Sequence, residues 1–218
     1  MMRTVKRKVV KYGQHINLGC FRVEFIKTNH SIQDAAALAI YSPAGVVIHT
    51  GDFKVDYTPV FGDAIDLQRF GEIGKKGVLA LMCDSTNAER AGSTMSENTV
   101  GKVLDTIFSD HKHKRIIVST FASNVDRVQQ IINCAYNHGR KVVIEGRSMV
   151  NIISTATELG YINIPDQTLI DIEQLKDYPD ELTVLITTGS QGESMAALSR
   201  MASGMHRKVT IQPNDLIV

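Results

Sequence analysis

Short stretches of alternating apolar and polar residues dominate roughly the first 85 positions of the chain, as they do in half-buried β-strands. Residues 22–26 alternate in this way. Residues 37–41 and 45–49 flank a Ser-Pro-Ala-Gly turn, which predicts a β-hairpin. Residues 78–83 are all apolar, which is typical of a strand covered on both faces.

The second part of the chain alternates between strand and helix patterns. Residues 115–119 predict a buried strand, residues 124–137 carry apolar side chains at helical spacing, and residues 141–145 predict the next strand. This order is that of a β-α-β unit, whose two strands run parallel with a right-handed crossover. The pattern recurs as a strand at 183–187, a helix at 194–203 and a strand at 208–211.

A polar segment between residues 88 and 98, which contains Gly92, separates the two patterns. We therefore predict an α/β protein with two domains, residues 1–90 and residues 91–218. The second domain should contain a mostly parallel sheet flanked by helices.

Composition excludes several classes of protein. The 218 residues include 24 Lys and Arg against 23 Asp and Glu, so there is no strongly basic nucleic-acid-binding tail, although a local basic groove remains possible. Cys20, Cys83 and Cys134 lie far apart and form no Cys-x-x-Cys pair, which favours a reducing cytoplasm over a disulfide framework. No apolar run approaches the roughly 20 residues of a membrane span, so we predict no membrane partner.

Two polar residues follow two of the predicted strands and could ligate a metal ion. His30 comes after the strand at 22–26, and Asp52 comes after the strand at 45–49. An imidazole and a carboxylate at strand ends are typical metal ligands. Taken alone, His30 is better explained as a hydrogen-bonded loop histidine, and Asp52 as a turn aspartate that caps its own backbone. His49, on the apolar strand itself, is best explained as a structural histidine.

Small polar segments follow three strands of the second part. Because ligands bind outside the carboxyl ends of parallel strands, these segments are candidates for holding phosphate oxygens through hydroxyls, backbone N–H groups and one arginine. Phe121 could stack on a base. The loop at 189–193 and the loop with Arg147 could equally be simple strand-to-helix connections. The candidate RNA-binding residues are Ser119, Thr120, Phe121, Ser123, Asn124, Arg147, Ser148, Ser190, Gln191 and Glu193.

Several motifs together resemble the β-CASP nucleases of the metallo-β-lactamase superfamily. Asn-His-Ser-Ile at 29–32, His-Thr-Gly-Asp-Phe-Lys at 49–54 and Cys-Asp-Ser-Thr-Asn-Ala-Glu at 83–89 follow in the family's order. Ser-Thr-Phe-Ala-Ser-Asn, Glu-Gly-Arg-Ser-Met and Thr-Gly-Ser-Gln-Gly-Glu-Ser-Met are similar to the ribonuclease J group. The resemblance runs from about Val10 to the C-terminus, and it implies part of an αββα metallo-β-lactamase sandwich followed by a β-CASP domain.

The resemblance also implies an activity. His30 matches a zinc ligand of the family, Asp52 matches the aspartate that bridges two zinc ions, and Asp84 matches a carboxylate at the catalytic site. Members cleave RNA with two zinc ions that activate a water molecule, as endonucleases and as exonucleases from a 5′ end. They act in RNA processing and decay in the cytoplasm and commonly form homo-oligomers.

The chain departs from the family in one respect. The main metal motif, His-x-His-x-Asp-His, is absent from the sequence, as are the histidine motifs expected after the β-CASP region. We therefore expect a truncated chain that is inactive or nearly so in isolation, since each metal ion needs about three protein ligands. The alternatives are another β-CASP nuclease, acting on DNA or in polyadenylation, and a non-catalytic module that binds nucleic acid or oligomerises.

Overall fold

A computed structural model describes residues 7–218, which divide into two compact units. Residues up to 30 and residues 34–96 form the first unit, whereas residues 31–33 and 97–218 form the second. Residues 1–6, which belong to the predicted domain 1–90, lie outside the described residues. Equating these units with the two predicted domains stays a prediction.

The first unit contains a five-stranded mixed sheet. The first four strands are antiparallel neighbours, and the fifth runs parallel to the fourth. The strands are β1 (His15–Leu18), β2 (Phe21–Lys27), β3 (Ala36–Ser42), β4 (Gly45–His49) and β5 (Ala80–Met82), in that order across the sheet. The predicted hairpin is confirmed as β3 and β4, with Ile40 opposite Val47.

Helix α1 (Leu67–Gly74) packs on this sheet and was not predicted. It begins at Asp66, whose carboxylate accepts a hydrogen bond from the Arg69 N–H at 2.9 Å. The buried apolar cluster of the unit consists of Ile26, Ala37, Ala39, Ile48 and Ile73.

The prediction that residues 78–83 form a strand covered on both faces is wrong. The strand is shorter, and Leu79, Leu81 and Met82 are each more than half exposed. The reason is its position, because within the described residues β5 is the last strand of its sheet and has only β4 as a neighbour.

The second unit contains a four-stranded parallel sheet. Its strands are β6 (Ile116–Ser119), β7 (Lys141–Glu145), β8 (Thr183–Thr187) and β9 (Leu216–Ile217), in the order β7-β8-β6-β9. The predicted strands at 115–119 and 141–145 are parallel, but β8 lies between them. The strand predicted at 208–211 is absent, and β9 pairs with the free edge of β6 instead.

Helices cover both faces of this sheet. They are α2 (Glu97–Asp110), α3 (Val125–Asn137), α4 (Arg147–Glu158) and α5 (Ala197–Ala202), with two 3₁₀ turns at Ile172–Asp177 and Asp180–Leu182. Because side chains alternate along a strand, Ile116 and Val118 join a core with Phe108, whereas Ile117 joins a second core with Met201. The unit is therefore the predicted α/β layer structure. None of the helices within residues 7–218 is long and apolar enough to cross a membrane.

Candidate functional site

Three strand ends of the first unit meet at one edge of its sheet. Because β3 is antiparallel to both of its neighbours, β2 and β4 run in the same direction, and β5 is parallel to β4. Their carboxyl ends therefore lie on the same side. The segments that follow them carry His30, Asp52 and Asp84, the three predicted site residues of this unit.

Main-chain hydrogen bonds hold these segments together. The Lys54 N–H donates to the carbonyl oxygen of Asn29 at 2.7 Å, which ties the Asp52 segment to the His30 segment. The Thr50 N–H donates to the carbonyl oxygen of Met82 at 3.0 Å, and the Asp84 N–H donates to Oγ1 of Thr50 at 2.9 Å. Two backbone bonds and one bond from a backbone N–H to the Thr50 hydroxyl therefore hold the three segments together.

A glycine shapes the turn that carries Asp52. Gly51 has a φ of +60°, and a Cβ atom there would lie 3.3 Å from the carbonyl oxygen of Ala36. The Gly51 N–H donates to Nδ1 of His49 at 3.0 Å, so His49 has a structural bond as predicted. The sequence Thr-Gly-Asp thus turns the chain sharply after β4.

The structure brings His30 and Asp52 together. Nε2 of His30 lies 3.7 Å from Oδ2 of Asp52, with the imidazole 33% exposed and the carboxylate 76% exposed. This separation is too long for a hydrogen bond. It is close to the roughly 3.4 Å that separates two ligand atoms bound tetrahedrally to one zinc ion at about 2.0–2.2 Å.

Asp84 adds a second carboxylate to this edge. Its pKa lies below the ordinary value, first because the Thr86 N–H donates to it, at 2.9 Å, and next because of the Thr86 hydroxyl. The Phe53 N–H and the charge of His30 lower the pKa further, while partial desolvation opposes them. The Asp84 carboxylate is therefore held ionised beside the His30 and Asp52 segments.

His30, Asp52 and Asp84 are residue types that bind zinc, but these three alone are too few to complete a zinc site. Imidazole nitrogen and carboxylate oxygen are ordinary zinc ligands. Nevertheless, in the part of the chain from residue 7 onwards, no group of three or more His, Cys, Asp or Glu side chains is arranged to hold a metal ion. The described residues thus supply part of a site, and the roles of His30, Asp52 and Asp84 stay predictions.

In the second unit the predicted RNA-binding residues lie at one edge of the parallel sheet, after β6, β7 and β8. The Thr120 N–H donates to the carbonyl oxygen of Thr187 at 3.0 Å, which joins two of these ends. The side-chain hydroxyls of Ser119 and Thr120 are buried and have no hydrogen-bond partner within residues 7–218. Such hydroxyls cost about 1–3 kcal/mol each, a cost that an acceptor oxygen of a ligand would remove. Phe121 is exposed beside them.

Some of these residues have structural roles. Asn124 is buried and caps α3, since its side-chain oxygen accepts a hydrogen bond from the Arg127 N–H at 3.2 Å, whereas Ser123 is half-buried. The Glu193 carboxylate accepts a hydrogen bond from the Gln191 N–H at 3.2 Å and so orders its own loop. Their contact with RNA stays a prediction.

Arg147 and Ser148 do not lie on a loop, as the sequence suggested. They form the exposed first turn of α4, directly after Gly146 with a φ of +107°. Gly146 can adopt this conformation without strain, and β7 passes into the helix at once. Ser190, Gln191 and Glu193 do lie on an exposed loop, between β8 and α5.

A contact that the sequence did not predict anchors the end of β7. Nε2 of His206 lies 3.2 Å from Oε1 of Glu145, and its Nδ1 accepts a hydrogen bond from the Val209 N–H at 3.1 Å. Because Nδ1 is an acceptor, Nε2 carries the proton and donates to the carboxylate. The two residues are 61 positions apart, and no spacing in the sequence signals the pair.

Comparison with known proteins shows what the chain is similar to. Residues 113–218 match the family model described as ribonuclease J, beta-CASP domain. A ribonuclease J of Helicobacter pylori is 46% identical over 211 residues, which cover 97% of this chain and 30% of that protein. Those of Synechocystis and Mycobacterium tuberculosis are 45% and 47% identical and are covered over 34% and 37% of their lengths.

A crystal structure of a protein of unknown function from Enterococcus faecalis shares the fold. Its TM-score is 0.60 at 16% identity, and the match covers 87% of this chain and 46% of that one. The chain spans about a third of the length of the ribonucleases that it matches. Residues 113–218 therefore match the β-CASP domain of ribonuclease J, and nearly the whole chain is similar to part of these ribonucleases.

Proposed function

We propose that this chain is part of a zinc-dependent ribonuclease that hydrolyses RNA phosphodiesters. In this proposal His30 and Asp52 ligate zinc, and Asp84 lies at the catalytic centre. The observation that carries it is the 3.7 Å separation between Nε2 of His30 and Oδ2 of Asp52, held by backbone hydrogen bonds at a sheet edge.

Each residue of this edge would have a distinct task. Two bound zinc ions would supply a water that is nucleophilic at neutral pH and would neutralise phosphate charge. The half-buried imidazole of His30 would supply one ligand nitrogen, and the exposed Asp52 carboxylate would supply ligand oxygens. Asp84, whose pKa is lowered, remains an anion that can orient the water or accept its proton.

The polar segments of the second unit would bind the RNA backbone. The hydroxyls of Ser119 and Thr120, which lack a partner within residues 7–218, and the exposed Arg147 are suited to phosphate oxygens, and Phe121 is suited to stacking on a base. This proposal includes both endonuclease and 5′ exonuclease activity, a cytoplasmic location and a homo-oligomeric whole protein. The non-catalytic alternative is not favoured, because the matched relatives bear the name ribonuclease J.

A segment exchange tests the nuclease proposal directly. The chain would replace the matching 211-residue segment of the Helicobacter pylori ribonuclease J, and cleavage of a 5′-labelled RNA would be followed with added zinc. We expect cleavage that ceases with chelator. His30→Ala and Asp52→Ala should each lower the cleavage rate by more than about 100-fold. Loss of a residue that only hydrogen-bonds to a metal ligand already lowers activity about 10–100-fold, and loss of the ligand itself should cost more.

His15→Ala is the matched control, because His15 lies exposed on the outer strand β1 of the same unit, opposite Glu24 of β2, and follows none of the three strand ends. Its rate should remain within about twofold of the unsubstituted protein. A folded hybrid that cleaves RNA equally well without His30 or Asp52 would refute the metal roles. By itself, the 218-residue chain should neither cleave RNA nor retain zinc through gel filtration, and stoichiometric retention would contradict the incomplete site.

A further inference from the structure

A groove of about 510 Å³ in the second unit is lined by none of the predicted RNA-binding residues. One wall is a single face of α4, formed by Val150, Ile153 and Thr157, which are spaced as neighbours along one helix face. Residues 169–173, which run into the 3₁₀ turn at Ile172–Asp177, also line the groove.

Apolar side chains form the floor of this groove. Ile153 is buried, whereas Val150 and Leu169 are nearly half exposed. Enclosed sites for small ligands bury most of the ligand surface. This groove instead leaves large apolar side chains open to water. It is therefore better suited to a peptide, of which one face covers these side chains while the other face remains in water.

All ionisable side chains that line the groove are acidic. They are Glu145, Glu158, Asp171 and Glu173. Glu145 is bonded to His206, and Glu173 to Lys208. In the described part of the chain, neither Glu158 nor Asp171 forms an ion pair, although Asp171 also interacts with the charge of Lys208. Their charges would repel a phosphate backbone and attract a cation.

We propose that this groove binds an amphipathic peptide segment of a protein partner, with apolar residues at helical spacing and lysine or arginine beside them. The apolar residues would pack on Val150, Ile153 and Leu169, and the cations would pair with Glu158 and Asp171, as in helix-in-groove recognition. The inference does not depend on nuclease activity.

Fluorescence anisotropy of the 218-residue chain with a synthetic peptide tests this assignment. The probe is a fluorescein-labelled 14-residue helix with leucine on one face and lysine on the other. One control peptide has serine in place of leucine, and another has glutamate in place of lysine. We expect saturable binding of the probe alone, with both controls weakened at least tenfold.

Variants then locate the binding. Leu169→Ser with Val150→Ser, and Glu158→Lys with Asp171→Lys, should each weaken binding at least tenfold. Asp110→Lys with Glu181→Lys makes the same charge change at exposed positions outside the groove and should change affinity less than twofold. Urea unfolding midpoints of all variants would show that the fold is intact.

Several results would overturn the proposal. Among them are equal losses in the two charge-reversal variants, equal binding of the serine peptide, and no binding of the probe up to about 1 mM, which corresponds to −4.1 kcal/mol. Displacement of the probe by a small organic diamine would also contradict it.

Discussion

A buried ion pair holds the C-terminal strand on the parallel sheet, and its loss should be measurable. Arg115 precedes β6, and its guanidinium donates to both carboxylate oxygens of Asp215, at 2.8 and 2.5 Å. The side chains are only 7% and 2% exposed. The Arg115 Nη2 also donates to the carbonyl oxygen of Thr210 at 2.8 Å. Asp215 therefore fixes the segment that leads into β9.

Replacing Asp215 with Asn should destabilise the second unit by about 3–5 kcal/mol. The substitution leaves the Arg115 charge buried without its counter-charge, which is the costly way to break such a pair. It also replaces one carboxylate oxygen with an amide NH₂, which cannot accept a hydrogen bond. Both oxygens now accept hydrogen bonds, and one of them accepts from the Gln212 N–H at 2.7 Å. Because the urea m-value of a small domain is about 1–3 kcal/mol/M, the midpoint should fall by about 1–5 M.

Asp180→Asn provides the control. Asp180 lies 3.7 Å from Nη1 of the same arginine but is 63% exposed, so its loss should cost at most about 1 kcal/mol. Hydrogen exchange gives a local measurement, because the Leu216 and Val218 N–H groups bond to the carbonyl oxygens of Arg115 and Ile117. Exchange at 216–218 should accelerate in Asp215→Asn only. Equal destabilisation by the two substitutions would refute the argument from burial.

Three further predictions concern pH, the backbone and the helix cap. Hydrogen bonds from Arg69 are the largest cause that lowers the pKa of Glu24 below 4.5 in the folded chain. The Glu24 carboxylate therefore stabilises the fold above pH 4.5, and this stabilisation is lost as the pH falls through the lower folded pKa. Between pH 5 and pH 3, the unsubstituted chain should lose more free energy of unfolding than Glu24→Gln. Gly146→Ala should destabilise by about 1–3 kcal/mol in urea unfolding, because φ is +107° and a Cβ would lie 3.1 Å from Oγ1 of Thr188. Asn124→Ala should cost about 0.5–2 kcal/mol through loss of the α3 cap, whereas Asn124→Asp should keep the cap and, if RNA binds there, weaken RNA binding in a filter assay.

The strands of the first unit were predictable where the alternation of side chains was complete. Residues 22–26 alternate and form part of β2, but the buried positions are Glu24 and Ile26, whereas the apolar Val23 and Phe25 are only partly buried. The same reasoning failed at residues 78–83, because an apolar run shows only that a strand can be buried on both faces. Whether it is buried depends on what packs against it, and local sequence does not contain that information.

In the second unit the sequence predicted strand directions but not their order. The strands at 115–119 and 141–145 are parallel as expected, yet β8 separates them, since a long crossover allows a later strand to enter. Residues 208–211 have the composition of a strand but form none. The edge of β6 is instead occupied by Leu216–Ile217, which the Arg115–Asp215 pair holds there. Both errors concern long-range pairing.

The convergence of His30 and Asp52 does not depend on attraction between the two side chains. At 3.7 Å they form no hydrogen bond, and the Asp52 carboxylate is mostly in water, where an isolated ion pair contributes at most about 1 kcal/mol. The backbone bond between Lys54 and Asn29 and the turn at Gly51 place them instead. A geometry imposed by the main chain persists when either side chain is removed. His30→Ala should therefore leave the urea midpoint nearly unchanged while it abolishes zinc-dependent cleavage in the hybrid enzyme, whereas a large loss of stability would mean that His30 is a structural residue.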